Sequence, residues 1–246
     1  MKKVLGINID GVIRDNLDRF EKVYIQNFIY NDTLVETTDD MQMKVLTGQE
    51  EEAKAEMIQN RVNEMITKPI DSYDLMNHFK FEDGKNYLGI DKTAEEIYDE
   101  FVNEIKAFHI FAQAEQFPWA VDSAHRLQQF GKDEELFEVV LFSTLKGKAR
   151  SATYSFLGTG VGCRIANVKF LEEDFDKWDY CDALIDIVPE AIQSKPEDGL
   201  VIKINTEFNK WDEADLSYNS IRDAFQTRDE DGERELLVKL REFFSE

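Results

Sequence analysis

The sequence predicts an α/β fold, a parallel-sheet core carrying an inserted, mostly helical cap. Three observations lead there. Short apolar runs at residues 4–9, 137–142, 183–187 and 200–204 are bounded by polar or turn residues, as in strands buried on both faces. Helical patterns separate the later runs, and strands alternating with helices imply right-handed crossovers and a parallel sheet. Residues 23–115 instead carry helical stripes without strand alternation, so they form the insert, and 1–22 with 116–246 form the core.

Composition permits this architecture. The 246 residues are 42% hydrophobic and 12% aromatic, enough for a packed core. A formal charge of −22 argues against a nucleic-acid-wrapping surface, which needs clustered Lys and Arg. It fits a soluble protein meeting cations or a basic partner. No apolar run is long enough to span a bilayer, and Met1-Lys2-Lys3 leads into a strand rather than a signal-peptide core. No membrane role is therefore expected, and the expected location is cytoplasmic. Cys163 and Cys181 form neither a framework nor a CxxC pair and are read as buried or half-buried thiols.

Taken in order, the first strand ends in Asn8-Ile9-Asp10-Gly11, where polar side chains appear abruptly beside a glycine turn. Carboxylates at the C-terminal edge of a parallel strand mark a site in α/β folds. Leu17, Phe20, Val23, Tyr24 and Phe28 recur at helical spacing directly afterwards. Within the insert, Met57, Ile58, Arg61, Val62 and Met65 place an apolar stripe on a helix that Pro69 ends. Thr93-Ala94-Glu95-Glu96 is a capping-box pattern opening a helix whose face is Ile97, Phe101, Ile105 and Phe108. Beyond Pro118, Trp119, Val121, Ala124, Leu127 and Phe130 form an amphipathic helix closed by Gly131. A strand at 137–142 ends in Ser143-Thr144, a helix follows at 148–157, and a strand at 165–170 comes next. The strands at 183–187 and 200–204 and a closing helix with Leu236, Leu237, Leu240, Phe243 and Phe244 complete the chain.

The opening stretch, Asn8-Ile9-Asp10-Gly11-Val12-Ile13-Arg14-Asp15, resembles motif I of the haloacid dehalogenase-like (HAD) superfamily, especially its 5'-nucleotidase-like branch. The resemblance implies a Rossmann-like core. In that family the first Asp of the motif attacks phosphorus and the second, two residues on, is the general acid/base. Here the second is Asp10 and the first is Asn8. Ser143 matches the hydroxyl of motif II, which holds a phosphate oxygen, and Lys177 matches the motif III lysine, with Lys169 as the other candidate. Asp182 and Asp186 match the spacing of motif IV, whose carboxylates with Asp10 would hold Mg²⁺; the second consecutive Asp of that motif is Ile187 here.

The two departures decide the functional expectation. An aspartyl-phosphate needs an attacking carboxylate and a cation offsetting the charge, and an amide is a poor nucleophile. Mg²⁺ wants oxygen donors in near-octahedral order, so a site short of two acidic groups holds it weakly. The expectation is thus a degenerate, non-catalytic descendant of a phosphatase, a pseudo-phosphatase used as a structural or protein-interaction module. A tailed-phage virion assembled in the cytoplasm is one home by analogy, and protein partners are expected. The first alternative is an active Mg²⁺-dependent phosphoric monoester hydrolase, a phosphatase or 5'-nucleotidase. The second is a module that binds nucleotide or phosphate without turnover. No tightly bound cofactor is expected, and Mg²⁺ only if the chain is active. His78, His109 and His125 lack metal-ligand spacing, and Lys146, Lys148 and Arg150 form a short basic run at a helix start, read either as a solvated helix end or as an anion site beside the phosphate pocket.

Overall fold

The structure is a computed structural model that describes residues 3–30, 50–85 and 90–245. Its centre is a sheet of six parallel strands: β1 (Lys3–Asn8), β2 (Phe137–Ser143), β3 (Val168–Phe170), β4 (Ala183–Asp186), β5 (Leu200–Ile204) and β6 (Leu216–Tyr218), ordered β6-β5-β4-β1-β2-β3. In β1, Leu5 and Ile7 are fully buried, worth about 1.5–3 kcal/mol each in transfer from water. Ile7 stands between Leu141 and Ile185, so β2 and β4 flank β1 and the predicted neighbours are neighbours. The third predicted strand is shorter than its apolar run: only Val168–Phe170 pairs with β2. The edge strand β6, three residues beside β5, carries too little alternation to be read from sequence.

Helices complete the core. α1 (Asn16–Tyr24) follows the first turn directly, with Asp15 as its N-cap. α2 (Glu50–Met65) and α3 (Ala94–Glu100) lie in the insert, and α3 opens on the full capping box of Thr93 and Glu96. α4 (Ala120–Asp133) and α5 (Gly147–Ser155) flank β2 in the chain. The closing helix, α6 (Glu235–Ser245), buries Leu236, Leu240 and Phe244, one apolar residue per turn.

Three helical expectations need correction. Gly131 does not stop α4, which runs on to Asp133; a Cβ there would meet the Phe137 ring at 2.6 Å, so this glycine is a site of close packing. Trp119 is not on the helix face: it is the N-cap residue in the left-handed region and is 58% exposed. Ile105 and Phe108 are likewise exposed. After Glu100 the chain switches to π-helical turns at Phe101–Ile105 and again at Phe108–Ala112. Each π-turn adds a residue to the cycle. The buried face therefore moves off the 3.6-residue stripe onto Val102, Ala107, Ile110 and Phe111.

Two apolar clusters result. One follows the sheet and its flanking helices. The other gathers Phe20, Tyr24, Phe79 and Phe101 with Ala149 and Ala152 of α5, so that α1 and the segment after it pack against α5. Residues 14–15 and 115–116 lie side by side, because Arg14–Asp15 pairs antiparallel with Glu115–Gln116, so both ends of the segment expected as the insert meet. The acidic segment 31–49 lies outside the described residues.

Candidate functional site

At the C-terminal edge of the sheet, parallel pairing aligns the ends of β1, β2 and β4. Asn8, Asp10, Ser143, Lys177 and Asp186 meet there, all of them buried. The Asn8 amide donates to Oδ1 of Asp186 at 2.9 Å and to the Asp10 carbonyl at 3.0 Å. Backbone amides of Ile187 and Val188 donate to the same Asp186 oxygen at 2.7 and 3.0 Å. The other oxygen of Asp186 accepts from Lys177 Nζ at 2.6 Å, and Asp174 binds that ammonium at 2.5 Å. Burial pulls the Lys177 ammonium down, yet Asp186 and Asp174 together hold it above the ordinary lysine value.

Asp10 is equally engaged. Its Oδ1 accepts from Arg14 Nη2 at 2.6 Å and Nε at 2.9 Å, and its Oδ2 accepts from Ser143 Oγ at 2.9 Å. Arg14 is fully buried. Its remaining donors reach the Phe111 carbonyl and Thr153 Oγ1 at 3.1 Å, and its plane lies over the rings of Phe111 and Phe156. The guanidinium thus ties the first turn of the core to the insert and to α5.

Motif spacing missed three residues here. Arg14 sits four residues after Asp10 and could have been suspected from that spacing. Asp174, three before Lys177, had a similar signal in one turn of 3-10 helix. Thr153 had none, since it lies 139 residues from Arg14.

Asp182 is not part of the site. It precedes β4, where its carboxylate accepts the Val4 amide at 2.7 Å, at the opposite edge of the sheet. Four residues of strand separate it from Asp186 by about 13 Å at ~3.3 Å per residue. Lys169, the other lysine considered, lies over the Tyr180 ring. Lys146 and Arg150 face Glu172, and Lys148 faces Glu104, so the basic run is a solvated helix end. His78 is buried in a turn between Ser72 and Thr67, and His125 accepts the Arg164 amide. Cys163 and Cys181 are free thiols, and burial drives Cys181 up to about 12.

These residues do not fit magnesium. Asn8 turns an N–H rather than an oxygen toward Asp186, and both Asp10 oxygens are already accepting. Ile187 aims its side chain at Gly11, where a Cβ would come within 1.9 Å of Ile187 Cδ1. The positive φ of Gly11, 83°, also favours glycine. Among the described residues no group of three or more His, Cys, Asp or Glu side chains could hold a metal ion.

Beside this network a cavity of about 280 Å³ opens between the sheet edge and the insert. Phe20, Tyr98 and Phe111 wall it from one side and Ile187, Thr206 and Phe208 from the other. Asn209 ties Ile187 to Thr206: its amide donates to the Ile187 and Ile204 carbonyls at 2.8 Å, and its oxygen accepts the Thr206 amide at 2.8 Å. Asp15 also lines the cavity, and burial holds its carboxyl above the usual aspartate range. Among the described residues no helix is long and apolar enough to cross a membrane.

No protein-family model matches the sequence, and no curated protein matches it. Similar solved structures include a magnesium-bound protein, YfnB of Bacillus subtilis, described as a HAD-hydrolase. It is 11% identical, with 92% of this chain and 97% of that one covered and a TM-score of 0.48. A haloacid dehalogenase-like hydrolase from Streptococcus pneumoniae is 11% identical over 90% and 95% of the two chains, with a TM-score of 0.43. A dehalogenase is 8% identical over 90% and 94%, with a TM-score of 0.42. The chain's own six parallel strands form an α/β core whose C-terminal edge gathers Asn8, Asp10, Ser143, Lys177 and Asp186, the layout that its motif resemblance implies.

Proposed function

We propose that the chain is a catalytically inactive member of the haloacid dehalogenase-like superfamily, in which residues 23–115 form the cap over a 1–22 and 116–246 core. It serves as a structural or protein-interaction module. One observation carries the reading: each carboxylate at the sheet edge is compensated from within the protein. Asp10 is matched by Arg14, and Asp186 by Lys177 and the Asn8 amide. A metal would have to displace these partners, and no carboxylate stands at position 8 to attack phosphorus. Under this reading the chain meets protein partners in a larger assembly such as a phage virion, and exposed aromatic side chains, Trp211 at 87% and Phe175 at 53%, are available for those contacts.

The test is turnover of nucleoside monophosphates and aryl phosphates with Mg²⁺ present. Rates at background are expected for the protein as it stands, and for Asn8→Asp alone because Ile187 remains. Turnover abolished by Asp10→Ala would overturn the reading in favour of a Mg²⁺-dependent phosphatase or 5'-nucleotidase. Retention of nucleotide or phosphate without turnover is less well supported. Among the described residues no Lys or Arg lines the cavity, while Asp10 and Asp15 do.

A further inference from the structure

We propose that the cavity between the sheet edge and the insert binds a small organic amine, an apolar body bearing one ammonium group, with the Asp15 carboxylate as its counter-charge. The proposal rests on the non-catalytic reading, since a magnesium–phosphate pair would claim the same space.

Size, lining and charge each restrict the ligand. An apolar cavity of about 150 Å³ takes a benzene ring, so this one, about 280 Å³, holds a ring with a short chain. Its walls are mainly aromatic and aliphatic, and such surfaces bind an apolar body without specifying its charge. Charge is specified by the acids. Asp10 is already neutralised by Arg14, whereas Asp15 makes no ion pair with any described residue and only a 3.3 Å bond from the Asp18 amide. Among the described residues a phosphate would face both carboxylates with no lining cation to meet it; an ammonium would face one carboxylate that makes no ion pair.

A second polar group is also waiting. Thr206 Oγ1 is buried and has no hydrogen-bond partner among the described residues, though it lines the cavity. A buried hydroxyl left unpaired is unfavourable, by about 1–3 kcal/mol. A turn of the Thr206 side chain into the cavity would let a ligand N–H donate to it, and Asn209 holds the threonine backbone in place by binding its amide.

The experiment is calorimetric titration of the full chain with three probes of one shape: phenethylamine, 2-phenylethanol and phenyl phosphate. The amine is expected to bind about tenfold more tightly than the alcohol, a charge-assisted bond being worth roughly 1.4 kcal/mol more than a neutral one here. Phenyl phosphate is expected to bind weakest. Asp15→Asn keeps an oxygen at the N-cap, so α1 should stay folded. That variant should lose the amine's advantage and leave the alcohol's affinity unchanged. Phenyl phosphate binding as tightly as the amine overturns the proposal, as does an amine affinity indifferent to Asp15→Asn, or no amine binding at millimolar concentration. Hydrolysis of phenyl phosphate with Mg²⁺ would instead sink the non-catalytic reading, and an Asp15-dependent amine affinity would stand apart from that result.

Discussion

Asn8 and Asp186 end neighbouring parallel strands, and the amide of one donates to the carboxylate of the other at 2.9 Å. A second carboxylate in the place of Asn8 would meet Asp186 at the same distance with no proton between them. The amide turns a repulsive pair into a bonded one and keeps the buried sheet edge neutral enough to fold without a cation.

Asn8→Asp is therefore expected to lower stability at pH 7 by about 3 kcal/mol, the scale of an uncompensated buried charge. The loss should shrink as pH falls, because like-charged neighbours favour protonation of one of the two. Urea unfolding at pH 7 and at pH 4.5 checks both statements. A variant as stable as the parent at pH 7 would contradict the pairing.

Arg14 compensates Asp10 and holds the Phe111 carbonyl of the insert. Arg14→Met should lower stability by about 3–5 kcal/mol, since it strands Asp10 in a buried site. The double variant Arg14→Met with Asp10→Asn should be more stable than Arg14→Met alone, because the stranded charge is gone. Arg14→Lys should fall between, keeping the charge but losing the two-pronged geometry. A urea series on the four proteins measures this. Equal stability of the single and double variants would show that Asp10 is not what Arg14 supports.

Lys177 is buried between Asp174 and Asp186, and its folded value lies above the ordinary 10.5. For a base raised on folding, the stabilisation is complete below the unfolded value and disappears as pH rises through the folded one. The stability difference between the protein and Lys177→Met should thus be constant from neutral pH to about 10.5 and shrink above it. At pH 7 the variant should lose about 3–5 kcal/mol. Chemical denaturation at pH 7, 9.5 and 11 gives the profile, and a difference that grows above pH 10.5 would be inconsistent with it.

What the sequence determined by itself is local. The apolar runs placed β1, β2, β4 and β5 because a strand buried on both faces needs unbroken hydrophobic residues. Thr93 and Glu96 announced the start of α3 because a capping box satisfies its bonds within four residues. Asn8 and Ile187 were legible as departures because a motif is a matter of residue type at fixed spacing. Tertiary structure decided the pairings and the faces. Asp182 and Asp186 look equivalent four residues apart, yet they belong to opposite edges of the sheet, because a strand extends where a helix would return. The π-turns after Glu100 rotated Ile105 and Phe108 into solvent, a change of phase that no 3.6-residue count contains. That Arg14 belongs to Asp10 and Thr153, and that Asp15 and Thr206 face one cavity, depends on which strands lie side by side. These positions lie up to 191 residues apart in the chain, and only the folded sheet brings them to one place.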